Sequence, residues 1–391
     1  MDLKPFPAIE AFLKSEATAG LLLMAAAVLA LVVANSPLAP FYSAFLDFPL
    51  TIGLGDFALS KTLLHWINDG LMAVFFFLIG LEIKREVVAG ELSTRAKAVL
   101  PVLAATGGMA GPALFYAVFN WDSTPDLRGW AIPTATDIAF ALGIMALLGS
   151  RVPASLKVFL TALAVIDDLG AVLIIAIFYT ADLSAMALAI AALCVIALVA
   201  LNRSGVRRID VYALVGLILW VAVLKSGVHA TMAGVITALA IPAIPDARGV
   251  SPLTTLEHKL HPTVTYLILP LFAFANAGVA VAGVTRDALF HPVTLGIVFG
   301  LFFGKQAGVL AITYLSRALG WVRLPSGATT IQYYGVALLT GVGFTMSLFI
   351  GNLAFDAPEN LAEVKIGVLG GSILSGIAGY IILRLSSRPN K

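Results

Sequence analysis

The amino-acid sequence predicts an all-α, polytopic membrane protein with about twelve transmembrane helices. Of its 391 residues, 60% are hydrophobic and only 12% are charged, and the mean hydropathy is +0.99. A soluble domain carries about twice that share of charged residues. Each bilayer crossing, in contrast, needs roughly 20 consecutive apolar residues. The composition therefore fits a chain that crosses a membrane many times, and the spacing of its apolar segments supports the same conclusion.

Twelve apolar segments follow one another along the chain, and we number them one to twelve. No interval between them is long enough for a soluble domain, so residues 1–391 are predicted to form a single integral membrane domain. The first segment is predicted to be retained rather than cleaved, because acidic Glu10 and Glu16 precede it. The segments lie at about 17–34, 63–83, 98–119, 129–148, 155–179, 183–201, 210–224, 228–244, 262–282, 293–316, 329–354 and 364–384.

The composition also excludes several classes of protein. A chain this apolar is neither a nucleic-acid-binding protein nor a disordered one. Cys194 is the single cysteine, which excludes a disulfide-rich secreted scaffold. It lies in segment six, where a buried thiol is predicted.

Lysine and arginine residues are distributed unevenly over the two ends of these segments. If the N-terminus is cytoplasmic, eighteen of the 24 lie on the cytoplasmic side and five on the opposite side, with Lys305 inside segment ten. Membrane proteins carry an excess of positive charge on their cytoplasmic side, so both termini are predicted to be cytoplasmic. The five residues on the opposite side are Lys61, Arg128, Lys225, Arg286 and Lys365.

The longest polar interval, 35–62, separates segments one and two. Around Gly53-Leu54-Gly55-Asp56 its residues alternate in part between apolar and polar. This pattern is typical of a β-hairpin rather than a helix. We predict an extracytoplasmic hairpin at 45–60.

Segments four and eleven contain residues that disturb a helix at mid-span. Pro133 lies in RGWAIPTATDIAFALG, and Gly341, Gly343 and Thr345 lie in ALLTGVGFTMSLFI. The segments are the centres of two groups, 3–5 and 10–12, whose offset of seven spans makes the second group an inverted copy of the first. Interrupted helices at matching places in inverted halves are typical of a transport site at the bilayer midplane, although Pro and Gly are also tolerated as ordinary kinks.

Three ionisable side chains fall deep inside predicted spans. Asp167 and Asp168 lie in segment five, about 18 Å along a helix from Ser155, and Lys305 lies at a similar depth in segment ten. Such residues are costly in hydrocarbon and usually functional. Since adjacent helical residues point about 100° apart, one carboxylate can face a cavity while the other faces a neighbouring helix. Lys305 is predicted to lie beside them, either as an ion-pair partner or as a titrating group.

Asp137 is the fourth deep charge and directly follows Pro133-Thr134-Ala135-Thr136. If the helix breaks there, Thr136 is predicted to be the N-cap of the following half-helix. Asp137 then lies in the first turn, where the helix dipole favours a negative charge. Asp137 therefore has either a structural role or a direct role in ligating an ion, and the freed carbonyl oxygens and threonine hydroxyls at the break suit a small hard cation.

A group of charged residues lies at the predicted cytoplasmic ends of segments two and nine. It is either proton-responsive, because histidine titrates near neutral pH, or a set of solvated helix ends. His229, between two short segments, either belongs to the same device or simply packs. The members at the two ends include Glu82, Glu86, Glu257, His258 and His261.

Several motifs together resemble those of bacterial NhaA-type sodium/proton antiporters, and the resemblance covers the chain from the first helix to the last. One difference is Gln306, which stands where the resemblance leads us to expect a proline. The motifs are LLHWINDGLMAVFFFLIGLEIKRE, WAIPTATDIAFALG, AVIDDLGA, LKSGVHATMAG, LPLFAFANAG, GKQAG and GVGFTMSLFI.

The resemblance implies electrogenic, pH-regulated exchange of sodium (or lithium) ions for protons across the bacterial inner membrane by alternating access, contributing to sodium and pH homeostasis. It implies that sodium binds at Asp167 and Asp168, which exchange it for protons, with Thr136, Asp137 and Lys305 in the same site. It also implies a homodimer involving the hairpin. The expected partners are the transported ions and membrane lipid, with no cofactor and no nucleic acid. The residues that it links to pH regulation are Glu82, Glu86, His229, Glu257, His258 and His261.

Two other functions are compatible with aspartates inside a membrane. An intramembrane aspartyl protease uses two aspartates on different helices, and Asp137 and Asp168 lie on different segments. Such proteases resemble one another in a GxGD motif on the second of these helices. The corresponding glycine-rich segment here, TGVGFT, contains no aspartate. A passive cation channel is the second alternative, and its flux does not require proton counterflow.

Overall fold

The computed structural model describes residues 16–54, 57–180, 183–246, 249–280 and 285–386. Predictions about the charged termini and about the hairpin turn at 55–56 lie outside the described residues. The helices are α1 (Glu16–Ala34), α2 (Ala39–Leu46), α3 (Leu63–His65), α4 (Met72–Ala89), α5 (Arg95–Phe119), α6 (Thr124–Leu127), α7 (Ile138–Ala146), α8 (Ala154–Phe178), α9 (Ala185–Arg203), α10 (Ile209–Leu224), α11 (Met232–Ala240), α12 (Pro252–Thr263), α13 (Leu269–Ala277), α14 (Arg286–Phe290), α15 (Pro292–Phe299), α16 (Lys305–Ala318), α17 (Thr330–Leu339), α18 (Phe344–Ala354) and α19 (Pro358–Ser386).

In the part of the chain that the structure describes, three long helices contain a π-helical turn, at Trp66–Leu71, Val264–Ile268 and Gly300–Gly304. These turns connect α3 to α4, α12 to α13 and α15 to α16 without a break. A π-turn inserts an extra residue and so changes the direction in which the following side chains point. The third turn ends directly before Lys305 and therefore sets the orientation of that lysine.

The number of helices that meet a length and hydropathy criterion for crossing a membrane is smaller than the predicted twelve. Within the described residues seven helices meet it, and the count is nine if each of two bent pairs is one span. The other predicted segments correspond to the charged α3–α4, to the 16-residue α10 and to the nine-residue α11. The fold is an all-α polytopic membrane protein, and twelve crossings remain a prediction.

The two bent pairs coincide with segments four and eleven. In the first, Thr124–Thr134 is followed by α7 with a bend of 42°, and in the second α17 is followed by α18 with a bend of 40°. Arg128–Thr134 is a 3₁₀-helix. The prediction that both helices are discontinuous is confirmed.

The start of segment nine was predicted too late. The helix begins at Pro252 rather than near 262, because Ser251 caps it by accepting a hydrogen bond from the Thr254 N–H at 3.1 Å. Glu257, His258 and His261 consequently lie on a helix that continues through the π-turn into α13, and not in a loop before it.

The strands β1 (Pro49–Leu54) and β2 (Phe57–Thr62) pair antiparallel, with Pro49 opposite Thr62 and Leu54 opposite Phe57. A hairpin therefore forms in the interval where the alternating residues predict one. It is shifted by a few residues toward α3, and Thr62 caps that helix with its side chain.

The chain divides into two compact units, each made of several stretches. The first comprises Met1–Leu31, Ala96–Ala171 and Val279–Lys391, and the second comprises Val32–Arg95 and Val172–Gly278. In the first unit, α5 and α16 pack at Gly107 and Gly308, where a Cβ atom on either glycine would overlap the carbonyl oxygen of the other. Small residues allow such close helix packing in membranes, and this contact holds the helix that carries Lys305.

The second unit contains the hairpin, α4 and the helices α9 to α13. Its core is a cluster that includes Leu81, Leu198, Tyr212 and Leu219. Cys194 belongs to this cluster and is a free, buried thiol, as the sequence predicts.

Candidate functional site

The candidate site lies in the first unit, where the two helix breaks meet. In segment four the 3₁₀-helix ends at Thr134, Ala135 is extended with φ −86° and ψ 152°, and α7 begins at Ile138. The break follows from Pro133, which has no N–H to donate and cannot continue a regular helix. Residues between Leu339 and Phe344 form the corresponding break in segment eleven.

Backbone groups that each break leaves without a helical partner are bonded to the other break. The Asp137 N–H donates to the carbonyl oxygen of Val342 at 2.6 Å, and the Ser347 hydroxyl donates to the carbonyl oxygen of Ile132 at 2.7 Å. Buried backbone groups need such partners, especially inside a membrane, where water does not replace them. The two interrupted helices therefore stabilise one another.

Asp137, and not Thr136 as predicted, is the N-cap of α7. Its Oδ1 accepts a hydrogen bond from the Phe140 N–H at 3.0 Å. Its Oδ2 accepts from the Thr345 N–H at 3.0 Å and from the Thr345 hydroxyl at 2.6 Å. The prediction that Thr136 is the N-cap was wrong, because the extended backbone continues through Asp137 and the helix begins only at Ile138. These contacts of the buried Asp137 carboxylate connect parts of the scaffold, which favours its structural role.

Thr136 instead faces Asp167. Its Oγ1 lies 2.7 Å from Asp167 Oδ2 and 2.9 Å from the carbonyl oxygen of Thr340, so its single proton can bond either acceptor. Both Thr136 and Asp167 are buried, at 0% and 1% exposure. The hydroxyl therefore connects both helix breaks to an aspartate on α8.

Lys305 is bound to the same carboxylate oxygen. Its Nζ lies 2.6 Å from Asp167 Oδ2 and also donates to the carbonyl oxygen of Thr134. The other oxygen, Asp167 Oδ1, is buried and has no hydrogen-bond partner among the residues that the structure describes. Lys305 is thus an ion-pair partner of Asp167 in this state, one of the two roles that the sequence allows.

Asp168 follows Asp167 on α8 and is equally buried, at 1% exposure. It also acts electrostatically on the Lys305 ammonium group. Two carboxylates and one ammonium group carry one net negative charge when all three are ionised. A buried charge of this kind is costly unless it is paired, so the group can take up a further cation.

Sequence reasoning missed one contributor to this site, the Thr345 hydroxyl. Thr345 was visible only as a polar residue in the apolar segment eleven. Its role depends on a neighbour 208 positions away in the chain, and no local pattern indicates such a contact.

Replacing Thr345 by valine is expected to destabilise the protein while leaving its shape intact. Valine has a similar volume but no hydroxyl, so the buried Asp137 carboxylate loses one of its donors. Losing a hydrogen bond to a charged group lowers the free energy of unfolding by about 1.5–3 kcal/mol. Thermal unfolding of the purified protein would measure this, with Thr345→Ser as the matched control that keeps the hydroxyl. Equal stability of the two variants would contradict the assignment.

Three of the residues linked to pH regulation lie together in the second unit, around Arg85. The Arg85 Nε donates to both oxygens of Glu257, at 2.9 and 3.0 Å, and its NH1 lies 2.7 Å from Glu86 Oε1. Glu82 acts electrostatically on the same guanidinium group. Glu86 and Glu257 are buried, so these carboxylates are not simply solvated helix ends. We call this group the Arg85 cluster.

The three histidines are less closely associated with one another. His258 and His261 are exposed on α12, one and four residues beyond Glu257. His229 lies elsewhere in the second unit, with Nε2 3.9 Å from Asp69 Oδ1 and Nδ1 2.8 Å from the Thr231 hydroxyl. Because Asp69 precedes Glu82 by about 20 Å of helix, His229 is not part of the Arg85 cluster.

Comparison with known proteins identifies the family. The family model described as Na+/H+ antiporter 1 matches residues 10–383. A relative from Rhodospirillum rubrum named Na(+)/H(+) antiporter NhaA is 60% identical over 393 residues, which covers 98% of each chain. A relative of the same name from Pseudomonas putida is 55% identical over 379 residues, covering 96% of this chain and 97% of the relative.

A third relative of that name, from Psychrobacter arcticus, is 55% identical over 377 residues, covering 96% of this chain and 94% of its own length. The match argues against the intramembrane protease, because the matched residues 10–383 include every candidate residue of the site and the family consists of transporters. The resemblance seen in the separate motifs therefore extends to the whole chain, which belongs to the Na+/H+ antiporter 1 family.

Proposed function

We propose that this protein exchanges sodium (or lithium) ions for protons at Asp167 and Asp168. The observation that carries the proposal is the state of Asp167, whose Oδ2 is bound to Lys305 and Thr136 while its buried Oδ1 has no partner among the described residues. An oxygen without a donor suits a cation, and hard cations such as sodium prefer oxygen ligands. Asp168, one residue away, supplies further carboxylate oxygens at the same depth.

Exchange follows from competition for these oxygens. A proton on either carboxylate removes the negative charge that attracts sodium, and a bound sodium ion disfavours protonation. Sodium also competes with the Lys305 ammonium group for Asp167, because both are cations seeking one carboxylate. The site therefore holds sodium or protons but not both, which is the requirement for coupled exchange.

The same group of residues supports electrogenic exchange. Asp167, Asp168 and Lys305 are three groups that can change their protonation, whereas the two carboxylates frame one sodium site. More protons than sodium ions can then move per cycle, and net charge crosses the membrane. Alternating access is the mechanism that the two facing half-helices support, because a movement of these half-helices can expose the site between them to either side in turn.

Sodium-driven pH change in proteoliposomes tests this function. An outward sodium gradient is expected to acidify the lumen of vesicles that contain the protein, and collapse of the membrane potential with valinomycin and potassium is expected to accelerate the exchange. Sodium flux without proton counterflow would support a channel instead. Unchanged rates after collapse of the potential would contradict electrogenic exchange but not exchange itself.

We further propose that the Arg85 cluster sets the pH dependence of exchange. Its guanidinium group lies among three carboxylates, and a neighbouring positive charge favours the ionised state of such a group as a whole. His258 and His261 are exposed on α12, one and four residues beyond Glu257. Protonation of the cluster would release the contact between α4 and α12.

Replacing Arg85 by glutamine is expected to move the pH of half-maximal exchange upward by as much as about one unit. Without the guanidinium charge the negative charges of the cluster are unbalanced, which favours uptake of a proton by the cluster and extends its protonated state to higher pH. Glu86→Gln is the matched variant, and it is expected to shift the pH of half-maximal exchange in the opposite direction. It removes one negative charge and leaves Arg85 paired with Glu257. Exchange rates measured between pH 6 and 9 would show both shifts. Shifts of the same sign would refute control by charge in the Arg85 cluster.

We propose that the protein lies in a bacterial inner membrane with both termini in the cytoplasm. Single cysteines at Gly90 and Gly205 are expected to react with a membrane-impermeant maleimide from the cytoplasmic side, and one at Asp287 from the outside. The reason is the eighteen-to-five distribution of lysine and arginine. Labelling in intact cells and in inverted vesicles, after replacement of Cys194 by serine, would measure it. Reversed labelling at any of the three positions would refute the twelve-span topology and its inverted repeat.

The hairpin supports a homodimer. A two-stranded sheet has two open edges that can pair with another chain, and Ile52 on β1 is 53% exposed. We propose that a second copy of the chain covers this surface. Crosslinking of a single cysteine at Ile52 in native membranes would detect the contact, and a protein that stays monomeric there would contradict it.

A further inference from the structure

A histidine and a glutamate meet in the first unit at a place separate from the candidate ion site. His291 directly precedes α15, and its Nδ1 lies 3.0 Å from Oε2 of Glu363 on α19. Glu363 is buried, whereas the imidazole of His291 is 33% exposed. About 20 Å of helix separates His291 from Lys305. We call these two residues the His291–Glu363 pair.

The two contacts of the His291 Nδ1 atom require different protonation states. The Val293 N–H donates to this nitrogen at 3.4 Å, and the imidazole thereby caps α15. A ring nitrogen accepts such a bond only while it carries no proton. An ionised Glu363 Oε2 is an acceptor as well, so these two atoms attract one another only if a proton lies on one of them. The presence of a single proton therefore decides which contact forms.

The Glu363 carboxylate carries the group that lacks a donor. Its Oε2 is buried and makes no aligned hydrogen bond to the part of the chain that the structure describes. A buried carboxylate oxygen without a donor is costly. Protonation of His291 removes this cost, because a rotation of the imidazole then directs Nδ1–H toward Oε2. The same proton ends the bond from Val293, so α15 loses its cap.

The charged groups around the pair are mostly acidic. Asp126 on α6 and Glu359, one turn before Glu363 on α19, both act electrostatically on the Glu363 carboxylate. Such surroundings suit the binding of a proton and do not suit an anion. The other charged residues on the elements packed around the pair, or directly beside those elements, are Asp122, Arg128, Arg286, Asp287, Asp356 and Lys365.

The helix that His291 caps leads directly to the ion site. It continues from α15 through the π-turn Gly300–Gly304 into Lys305. In its first turn the buried Thr294 hydroxyl lies 3.3 Å from the carbonyl oxygen of Glu363, so α15 contacts α19 at the residue that bears the carboxylate. A contact that forms or breaks at His291 therefore acts on the helix that carries Lys305.

We propose that the His291–Glu363 pair is a second proton-binding site, which slows exchange when the solution that it faces is acidic. This inference rests on the proposed exchange function, and in the proposed topology that solution is extracytoplasmic. With a proton bound, the His291 imidazolium holds Glu363, α15 is fixed on α19, and the helix that carries Lys305 moves less easily. Histidine ordinarily changes its charge between pH 5 and 8. The pair would thus limit proton entry from an acidic exterior.

NMR titration of the five histidines tests proton binding without any transport. In the full-length protein labelled with ¹³C at histidine Cε1, His291→Gln identifies the His291 resonance by its loss. Glu363→Gln is expected to lower the pH midpoint of this resonance by about one unit, because the imidazolium loses its carboxylate partner. Glu359→Gln, at an exposed position one turn away, is the matched control and is expected to cause a smaller shift.

Two results of this titration would overturn the proposal. One is an equal midpoint in the wild type and in Glu363→Gln, which would show that the carboxylate does not hold the proton on the imidazole. The other is an equal shift in Glu363→Gln and Glu359→Gln, which would show a general effect of charge rather than a pair.

Exchange rates in membrane vesicles of known orientation test the coupling to transport. The pH is lowered from 8 to 6 on the side of His291 and held at 8 on the other side. The ratio of the variant rate to the wild-type rate cancels the driving force. For His291→Gln this ratio is expected to rise about fivefold, since the variant is no longer slowed by acid. His258→Gln, at an exposed position on α12, is the matched control, and its ratio is expected to stay constant.

The two measurements separate failure of this inference from failure of the proposed function. A constant ratio for His291→Gln in vesicles whose wild-type protein exchanges sodium for protons would refute control by the pair and leave the exchange function standing. No exchange by the wild type would refute both the function and its control, whereas the NMR midpoints would still decide whether the pair binds a proton.

Discussion

Replacing Asp168 by asparagine is expected to abolish sodium/proton exchange, lowering its rate by more than about a hundredfold. Asparagine has nearly the same volume as aspartate and can be buried without a charge, so the variant is expected to insert and fold. It removes one of the two negative charges that attract sodium and one of the groups that exchange protons. Exchange in proteoliposomes and elution as a single species on gel filtration would measure activity and folding.

The control for this variant is Asp287→Asn. Asp287 is an exposed aspartate on the short helix α14, and its replacement is expected to leave exchange unchanged. Asp167→Asn is also expected to be severely impaired, and in addition less stable, because it leaves the buried Lys305 without its carboxylate partner. Exchange by Asp168→Asn at close to the wild-type rate would remove Asp168 from the mechanism.

The apparent affinity for sodium is expected to fall as the pH falls, by about tenfold per pH unit for each proton displaced. Sodium binds the ionised forms of Asp167 and Asp168, and at low pH the same oxygens hold protons. Linkage then requires that low pH weakens sodium binding and that sodium binding releases protons. The slope applies over the range in which the carboxylates titrate, and above that range the affinity is expected to be constant.

Isothermal titration at several pH values, in buffers that differ in ionisation enthalpy, measures the affinity and the number of protons released together. Glu257→Gln is the control, because the Arg85 cluster can move the midpoint of the pH dependence of exchange but cannot remove the competition at the site. A sodium affinity that does not depend on pH, without proton release, would refute exchange at a shared site, and the channel would then explain the flux better.

Much of the fold was predictable because a bilayer restricts what a chain can do. Each of the twelve predicted segments overlaps a helix of the structure, since a spanning segment must bond its own backbone and present apolar side chains to lipid. The helix breaks were predictable from Pro133 and from Gly341 and Gly343, because proline and glycine disturb a regular helix. The hairpin followed from its alternating residues. Helix ends were less predictable, as Pro252 shows, because capping depends on the local backbone.

For the site, the sequence by itself determined which residues are candidates. Asp137, Asp167, Asp168 and Lys305 stand out because a charge in an apolar segment is costly and persists only where it has a use. Composition and periodicity also determined the membrane class and the pairing of the interrupted segments. These properties depend only on residues that are close together in the chain, so they can be recognised in the sequence.

Only the tertiary structure decided which candidates meet and in what role. It paired Lys305 with Asp167, made Asp137 the cap that Thr345 holds, and directed Thr136 to Asp167. It also separated His229 from the Arg85 cluster. The physical reason is that these contacts join residues 31 to 208 positions apart, and a π-turn or one further extended residue redirects a side chain without altering the apolar pattern. Contacts between residues so far apart in the chain could therefore not be recognised from the sequence.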